Sequence, residues 1–185
     1  MSATRLLILG LVRLTQPVHG YDVRRELLSW NADEWANVAP GSIYHALKKL
    51  TEEGLLREAG TEQVGARPAR TMYEITDKGE MVFQELLREF WWEYRQPVDP
   101  FLAAFSFLPA LPRREAAAAL RTRAQQLRSQ IAYLTSGLEE GWVDRDRPPH
   151  VAEVFRLGIV RMEAEAQWCD RVADRVEAKE LPTES

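Results

Sequence analysis

Cysteine is almost absent from this chain. Cys169 is the only cysteine among 185 residues, so the sequence allows neither an intramolecular disulfide nor a cysteine-cluster metal site. The three histidines, His19, His45 and His150, are scattered, and no two of them have the spacing of metal ligands on one helix. We therefore expect a protein without a bound metal or another cofactor.

Long hydrophobic segments are also lacking. The longest aliphatic run, residues 6–12, is interrupted by Gly10 and is far too short to span a bilayer. Arg13 follows it directly, and no small-residue cleavage site comes after, so the run is a poor signal peptide. We interpret it as the buried side of a first helix and expect a cytoplasmic protein that does not contact the membrane.

Catalytic motifs and a surplus of positive charge are missing too. The sequence contains no nucleophile elbow, no phosphate-binding glycine loop and no paired carboxylates with a reason to be buried, which argues against an enzyme. The net charge is −4, and residues 1–95 carry 12 Lys and Arg against 14 Asp and Glu. If the chain binds a polyanion such as a nucleic acid, the binding surface must therefore be local, with acidic residues kept on other faces.

Helical periodicity dominates the first third of the chain. Apolar spacing predicts helices over residues 4–14 and 20–30, a loop over 31–39, and a third helix from residue 42. The third helix has a buried face of Ile43, Leu47 and Leu50. Ser42 is a candidate cap for its start, with Pro40 in the first turn as the alternative. Gly54 is placed to end it in a left-handed conformation.

A hairpin and a fourth helix follow. Residues 55–59 and 70–75 alternate as strands do, and the glycines and proline of 60–69 predict a long tip. The segment 76–79 caps a helix whose apolar stripe runs from Val82 to Tyr94 and ends before Pro97. The order predicts a mainly α fold with a small β-hairpin wing, a winged helix-turn-helix over residues 1–96, followed by a helical domain over 97–185.

The exposed face of the third helix is the candidate DNA reader. A reading helix needs one buried face and a second face that enters the major groove. The side chains suited to bonding phosphates or base edges are Tyr21 on the second helix, Ser42, Tyr44, His45, Lys48 and Lys49 on the third, and Arg67 and Arg70 on the wing. The alternative is that the lysines form a solvated face and the tyrosines only contact neighbouring helices.

The second half of the chain carries a heptad pattern. Leucine, isoleucine and alanine recur every three or four residues over 120–138, and a matching apolar series follows over 151–176. Two amphipathic helices of this length bury only one stripe against each other, so a second copy would cover the rest. The predicted dimerisation residues are Leu120, Leu127, Ile131, Leu134, Phe155 and Met162.

Six tryptophans are an unusual number for this length. Four of them, Trp91, Trp92, Trp142 and Trp168, lie in or beside the C-terminal helical region, and for these we favour burial in the core or in a dimer interface. Adjacent Trp91 and Trp92 also suggest a flat aromatic effector bound between the reader domain and the C-terminal helices. Neighbouring side chains on a helix point about 100° apart. At most one of the two should therefore face a given pocket.

Four separate motifs resemble the PadR family of bacterial transcription regulators. They are residues 8–11 (ILGL), 19–21 (HGY), 41–55 (GSIYHALKKL, then EGL) and 73–79 (YEITDKG). The resemblance is close over residues 5–80, and the second half is similar to longer members that dimerise through helices. It implies a homodimer on a palindromic promoter site, usually repressing and often released by a phenolic or drug-like molecule. His45 is a departure, because the family often has proline there.

A rival function stays open at this point. Winged helices also serve as protein-interaction modules without DNA, and the acidic net charge allows that function here. The two functions differ in salt dependence, because only phosphate neutralisation gives a steep salt slope.

Overall fold

The computed structural model describes residues 3–30, 32–36, 38–62, 70–141 and 149–184. They divide into two units, Met1–Gln96 and Pro97–Ser185. The helices of the first unit are α1 (Ala3–Thr15), α2 (Gly20–Ser29), the one-turn α3 (Ala32–Trp35), α4 (Ser42–Glu52) and α5 (Asp77–Trp92). The predicted mainly α fold with a β-hairpin is confirmed.

The sheet of the first unit is small and antiparallel. Its strands are β1 (Val18–His19), β2 (Leu56–Glu62) and β3 (Arg70–Ile75), in the order β1–β3–β2. The sequence did not predict β1, because two residues are too few to show alternation. Its place is set by pairing of Val18 with Tyr73 and of His19 with Met72, far along the chain.

The core of the first unit surrounds α4. Ile43, Leu47 and Leu50 are at most 1% exposed. They share one hydrophobic cluster with apolar side chains of α1, α2 and α5, which include Ile8, Leu9, Val12, Val23, Leu27 and Leu86. Burying side chains of this size stabilises the fold by about 1.5–3 kcal/mol each. This burial fixes which face of α4 is left for a partner.

Two predicted helix signals are confirmed. Gly54 ends α4 with a φ of +72°, the left-handed region that glycine enters without strain. Thr76 caps α5, because its hydroxyl oxygen accepts a hydrogen bond of 3.0 Å from the backbone N–H of Gly79.

Three local predictions are wrong. The 31–39 segment is not entirely loop, because Ala32–Trp35 forms one helical turn around the buried Ala32. Ser42 does not cap α4: Gly41 occupies the cap position, and the Ser42 hydroxyl instead donates to the Ala39 carbonyl oxygen at 2.7 Å. Tyr94 lies beyond the end of α5 and is 87% exposed, so it does not continue the apolar stripe.

The second unit is a helix pair with a short lead-in. It contains α6 (Pro100–Phe105), a 3₁₀ turn (Leu108–Ala110), α7 (Arg113–Glu139) and α8 (His150–Glu177). Arg121 pairs with Asp174 and Arg128 with Asp170, which sets the register of α7 on α8. Most buried side chains of the pair are small, and they form a cluster towards one end, at Ala116, Ala117, Leu120, Ala124, Ala166, Cys169, Val172, Ala173 and Val176.

The predicted dimerisation residues fall into two groups. Leu120 is 4% exposed in the core of its own unit, so it has little area left for a second copy. Leu127 is half-buried and packs against that core. The other four, Ile131, Leu134, Phe155 and Met162, are half-buried. On the same part of α8, Val154, Leu157 and Val160 are about half exposed.

Gly79 is a point of close approach between α5 and the start of β2. A Cβ atom there would lie 2.1 Å from the Leu55 carbonyl oxygen and 2.8 Å from Ile75 Cγ1. We expect Gly79→Ala to lower the free energy of unfolding by about 3 kcal/mol, because backbone cannot yield as a flexible side chain does. Urea unfolding followed by circular dichroism measures this change.

Gly41→Ala is the matched control, because a Cβ atom at Gly41 meets nothing within 4 Å. Its free energy of unfolding should change by no more than about 1 kcal/mol. Equal stability of the two variants would contradict the close packing at Gly79.

Candidate nucleic-acid interface

The outer face of α4 is polar and accessible. With Ile43, Leu47 and Leu50 buried, Tyr44, His45, Lys48 and Lys49 are exposed and Ser42 is half-buried. The structure thus places five of the predicted site residues on one helix. The Lys48 ammonium lies 3.8 Å from Glu52 and both side chains are largely exposed, so this pair is weak and leaves the lysine free to exchange partners.

The C-terminal end of α4 is fixed to the scaffold by polar contacts. The Arg5 guanidinium of α1 pairs with the Glu53 carboxylate through both of its terminal nitrogens. The Lys78 ammonium donates to the Glu53 carbonyl oxygen at 2.9 Å, and the Leu55 N–H donates to the Leu50 carbonyl oxygen at 2.9 Å. These bonds hold the helix axis in place while its outer face stays in solvent.

The Glu53 carboxylate is stabilised in its charged form. Hydrogen bonding from Arg5 lowers its pKa, and the positive charges of Arg5, Lys49 and Lys78 lower it further. Two of the bases near this carboxylate, Lys49 and Lys78, lie on α4 and α5. The negative charge of Glu53 therefore interacts both with a lysine of α4 and with positive charges on the neighbouring helices.

A cavity lies beside the N-terminal end of α4. It has a volume of about 290 Å³ and is lined by His19, Gly20, Tyr21, Tyr44, Thr71 and Tyr73. Tyr21 and Tyr44 are each about half exposed at this cavity. The fold thus brings together two predicted residues from different helices, and their hydroxyls can donate to an acceptor such as a phosphate oxygen.

Gly20 allows the walls of this cavity to approach one another. A Cβ atom there would lie 3.4 Å from the Tyr73 ring and 3.5 Å from the Tyr44 ring. Burial raises the pKa of Tyr73, and the negative charge of Glu58 adds to the rise. The Tyr73 hydroxyl therefore stays protonated at neutral pH and remains a hydrogen-bond donor.

Four lining residues, His19, Gly20, Thr71 and Tyr73, were not predicted as site residues. Thr71 and Tyr73 share one strand face in the sequence pattern, which was a usable signal. The pairing of β1 with β3 brings His19 to the same place, and no local pattern encodes it. Of the predicted wing arginines, Arg70 begins β3, and Arg67 lies outside the described residues.

The two adjacent tryptophans both border one groove. Trp91 and Trp92 are more than 80% exposed and line an open groove of about 320 Å³ with Gln84, Leu87 and Arg88. The expectation that only one of them would face a given pocket is wrong. Both residues lie in the last turn of α5, and the groove is open enough for both indoles to line it.

Two kinds of site are absent from the described ranges. No helix there combines the length and apolar character that a membrane crossing requires. Nor do three or more His, Cys, Asp or Glu side chains come together there in a group that could hold a metal ion.

Comparison with known proteins finds a family model that matches the first unit. The model of the Transcriptional regulator PadR-like family matches residues 8–85. The fold is similar to that of Bacillus subtilis PadR in complex with operator DNA, with a TM-score of 0.70 and 23% identity over 93% of this chain and 98% of that one. No curated protein matches the sequence significantly.

Two further solved structures are similar over nearly their whole length. Bacillus subtilis PadR in complex with p-coumaric acid has a TM-score of 0.69 and 22% identity over 94% of this chain and 98% of that one. The Vibrio cholerae virulence activator AphA has a TM-score of 0.65 and 21% identity over 96% and 99%. These likenesses establish that the two-unit fold is shared.

The Arg5–Glu53 contact generates a pH-dependent prediction. A lowered carboxyl pKa in the folded state means that the stabilisation is present above the ordinary value of about 4.3 and is lost as the pH falls through the lowered pKa. Glu53→Gln should therefore be less stable than the parent at pH 7. The difference should be about 1 kcal/mol or less, because the pair is partly exposed to solvent, and it should shrink below about pH 4.

Urea unfolding at pH 7 and at pH 3.5, or as near it as the fold survives, measures the effect. Glu85→Gln is the control, because Glu85 is exposed on α5 and has no ion-pair partner among the described residues. A Glu53→Gln difference that persists unchanged at the lower pH would contradict the electrostatic origin.

Proposed function

Because residues 8–85 match the model of the PadR-like family of transcriptional regulators, we propose that this protein is a sequence-specific, DNA-binding transcription regulator in which α4 is the recognition helix. The observation that carries the proposal is the division of α4 into a fully buried face and an accessible polar face. The solved complex of Bacillus subtilis PadR with operator DNA, similar in fold over 93% of this chain, supports it.

The residues of the interface divide into two roles. Lys48 and Lys49 neutralise phosphates, and the hydroxyls of Tyr21 and Tyr44 donate to phosphate oxygens at the cavity beside α4. These contacts position the protein and carry no sequence information. His45, exposed at the centre of the α4 outer face, reads a base edge in the major groove.

The regulator acts as a homodimer. A two-fold dimer presents two copies of α4 to a palindromic site, so the symmetry of the protein matches that of the DNA. The apolar surface of α8 around Val154, Leu157 and Val160 supports this assembly, because each of these side chains is about half exposed in one copy. A second copy would remove that surface from water.

We propose a repressor that a small aromatic molecule releases from DNA. The groove at Trp91 and Trp92 supports an aromatic ligand, since indole faces stack on flat rings. The complex of Bacillus subtilis PadR with p-coumaric acid also supports it. Such a ligand must bind the DNA-free conformation better than the DNA-bound one, because equal affinity for both shifts nothing.

Removal of the two α4 lysines tests the DNA interface. The double variant Lys48→Ala, Lys49→Ala should weaken binding to all duplexes and reduce the slope of log affinity against log salt by about two units, one per lost phosphate contact. The slope is measured by fluorescence anisotropy with a labelled duplex at salt concentrations from about 50 to about 200 mM.

Arg88→Ala is the control for this variant, because Arg88 is an exposed cation on α5. Its slope should equal that of the parent. A double variant with the parent slope would contradict docking through α4, and a parent without salt-dependent binding would favour the protein-interaction module.

A charge placed in the apolar surface of α8 tests the dimer. Leu157→Glu should convert the protein to a monomer, because burying an unpaired carboxylate at an interface costs several kcal/mol. Multi-angle light scattering on the full chain measures the mass. Arg171→Glu changes charge on an exposed position of the same helix and should leave the dimer intact; a dimeric Leu157→Glu variant would contradict the proposed surface.

A further inference from the structure

The second unit contains an open-sided cavity at the start of its long helix. The cavity lies between α6, the 3₁₀ turn and the first half of α7, and its volume is about 390 Å³. Small-molecule sites typically measure about 300–1,000 Å³ and are mostly apolar with a few polar groups. Most of this lining is apolar, with Phe101, Phe105, Leu108 and Leu120 among its members.

One wall of the cavity contains the rings of Phe101 and Phe105, and both rings also pack against Trp168. Phe101 and Phe105 lie 5.9 Å apart between ring centroids, and the Trp168 indole from α8 lies 5.0 Å from Phe105 and 6.0 Å from Phe101 in edge-to-face geometry. Such contacts stabilise the rings in one arrangement. The wall is therefore preformed and suited to a flat apolar body.

The polar part of the lining comes from α7, which contributes Thr122, Arg123 and Gln126. The Arg123 guanidinium carbon lies 4.0 Å from the Phe101 ring centroid, and its Nε–H donates to Glu165 at 2.6 Å. A guanidinium has five N–H donors. No other acceptor for Arg123 occurs in the part of the chain that the structure describes, so its terminal N–H groups remain available to a ligand.

The charge at the polar part of the lining is already balanced. The Glu165 carboxylate already pairs with Arg123. A ligand carboxylate would therefore be repelled by Glu165, and the loss of its hydration would not be compensated. A neutral carbonyl oxygen needs only a donor. The geometry points to a binding site for a small, flat, uncharged aromatic molecule whose single carbonyl oxygen accepts from Arg123. This site belongs to the second unit alone and is independent of DNA binding and of the Trp91–Trp92 groove.

A pair of probes with the same rings tests the ligand class. Isothermal titration calorimetry on the full chain compares 2-acetylnaphthalene, a neutral ketone, with 2-naphthoate, its carboxylate counterpart. The ketone should bind at least about tenfold more tightly, which corresponds to about 1.4 kcal/mol. Tighter binding of the carboxylate, or no binding of the ketone, overturns the proposal.

Two neighbouring alanines of α7 locate the bound probe. Both alanines are exposed, but only Ala119 is among the residues that line the cavity. Ala119→Leu fills the cavity and should weaken ketone binding by about tenfold or more, while Ala118→Leu should change it by less than about twofold. Equal ketone affinity in both variants places the ligand elsewhere and overturns the proposal.

Light scattering on both variants and DNA binding by the parent complete the experiment. If Ala119→Leu alone alters the oligomeric state, the groove is an interface between copies and the proposal fails. Ketone binding by a parent that binds no DNA leaves this site standing while the proposed function fails, so the two failures are distinguishable.

Discussion

The burial of one face of α4 is the constraint on which the first unit depends. Ile43, Leu47 and Leu50 are almost completely removed from water, and this leaves the helix no freedom to rotate about its axis. The opposite face must then point outwards with its lysines, histidine and tyrosine. The Arg5–Glu53 contact and the close packing at Gly79 fix the neighbouring segments, so the same interactions that stabilise the fold also orient the proposed reading surface.

Much of this arrangement could be predicted from the sequence, because it is encoded locally. Helical periodicity located α4 and α5, Gly54 and Thr76 marked helix ends through their own backbone chemistry, and the polar residues opposite the α4 apolar stripe followed at once. The cavity beside α4 could not be predicted in full. It depends on β1 pairing with β3, and two residues carry no periodicity that would reveal a strand. The predicted Ser42 cap is wrong for a different, local reason, because its hydroxyl donates to the backbone carbonyl oxygen of Ala39.

The second unit shows how a regular pattern can leave its partner undetermined. The heptad series predicted the pairing surfaces of α7 and α8, yet part of it, Leu120 above all, is spent on the core of a single copy. Small side chains such as Ala124 and Ala173 let α7 and α8 approach closely where this core lies. Apolar side chains in the first half of α8, around Leu157, stay accessible. The rings of Phe101 and Phe105 line a cavity. Neither feature is visible in periodicity, since both depend on which apolar residues remain uncovered after folding.

The central claim is that α4 reads DNA sequence, and selection of bound sites from a random duplex pool tests it most directly. Run in parallel on the parent and on His45→Ala, the selection should enrich a palindromic motif for the parent. The variant should enrich a motif with altered preference at symmetric positions in the two half-sites, because each copy of α4 contributes one His45. Failure of the parent to enrich any motif, or identical motifs from parent and variant, would contradict the account.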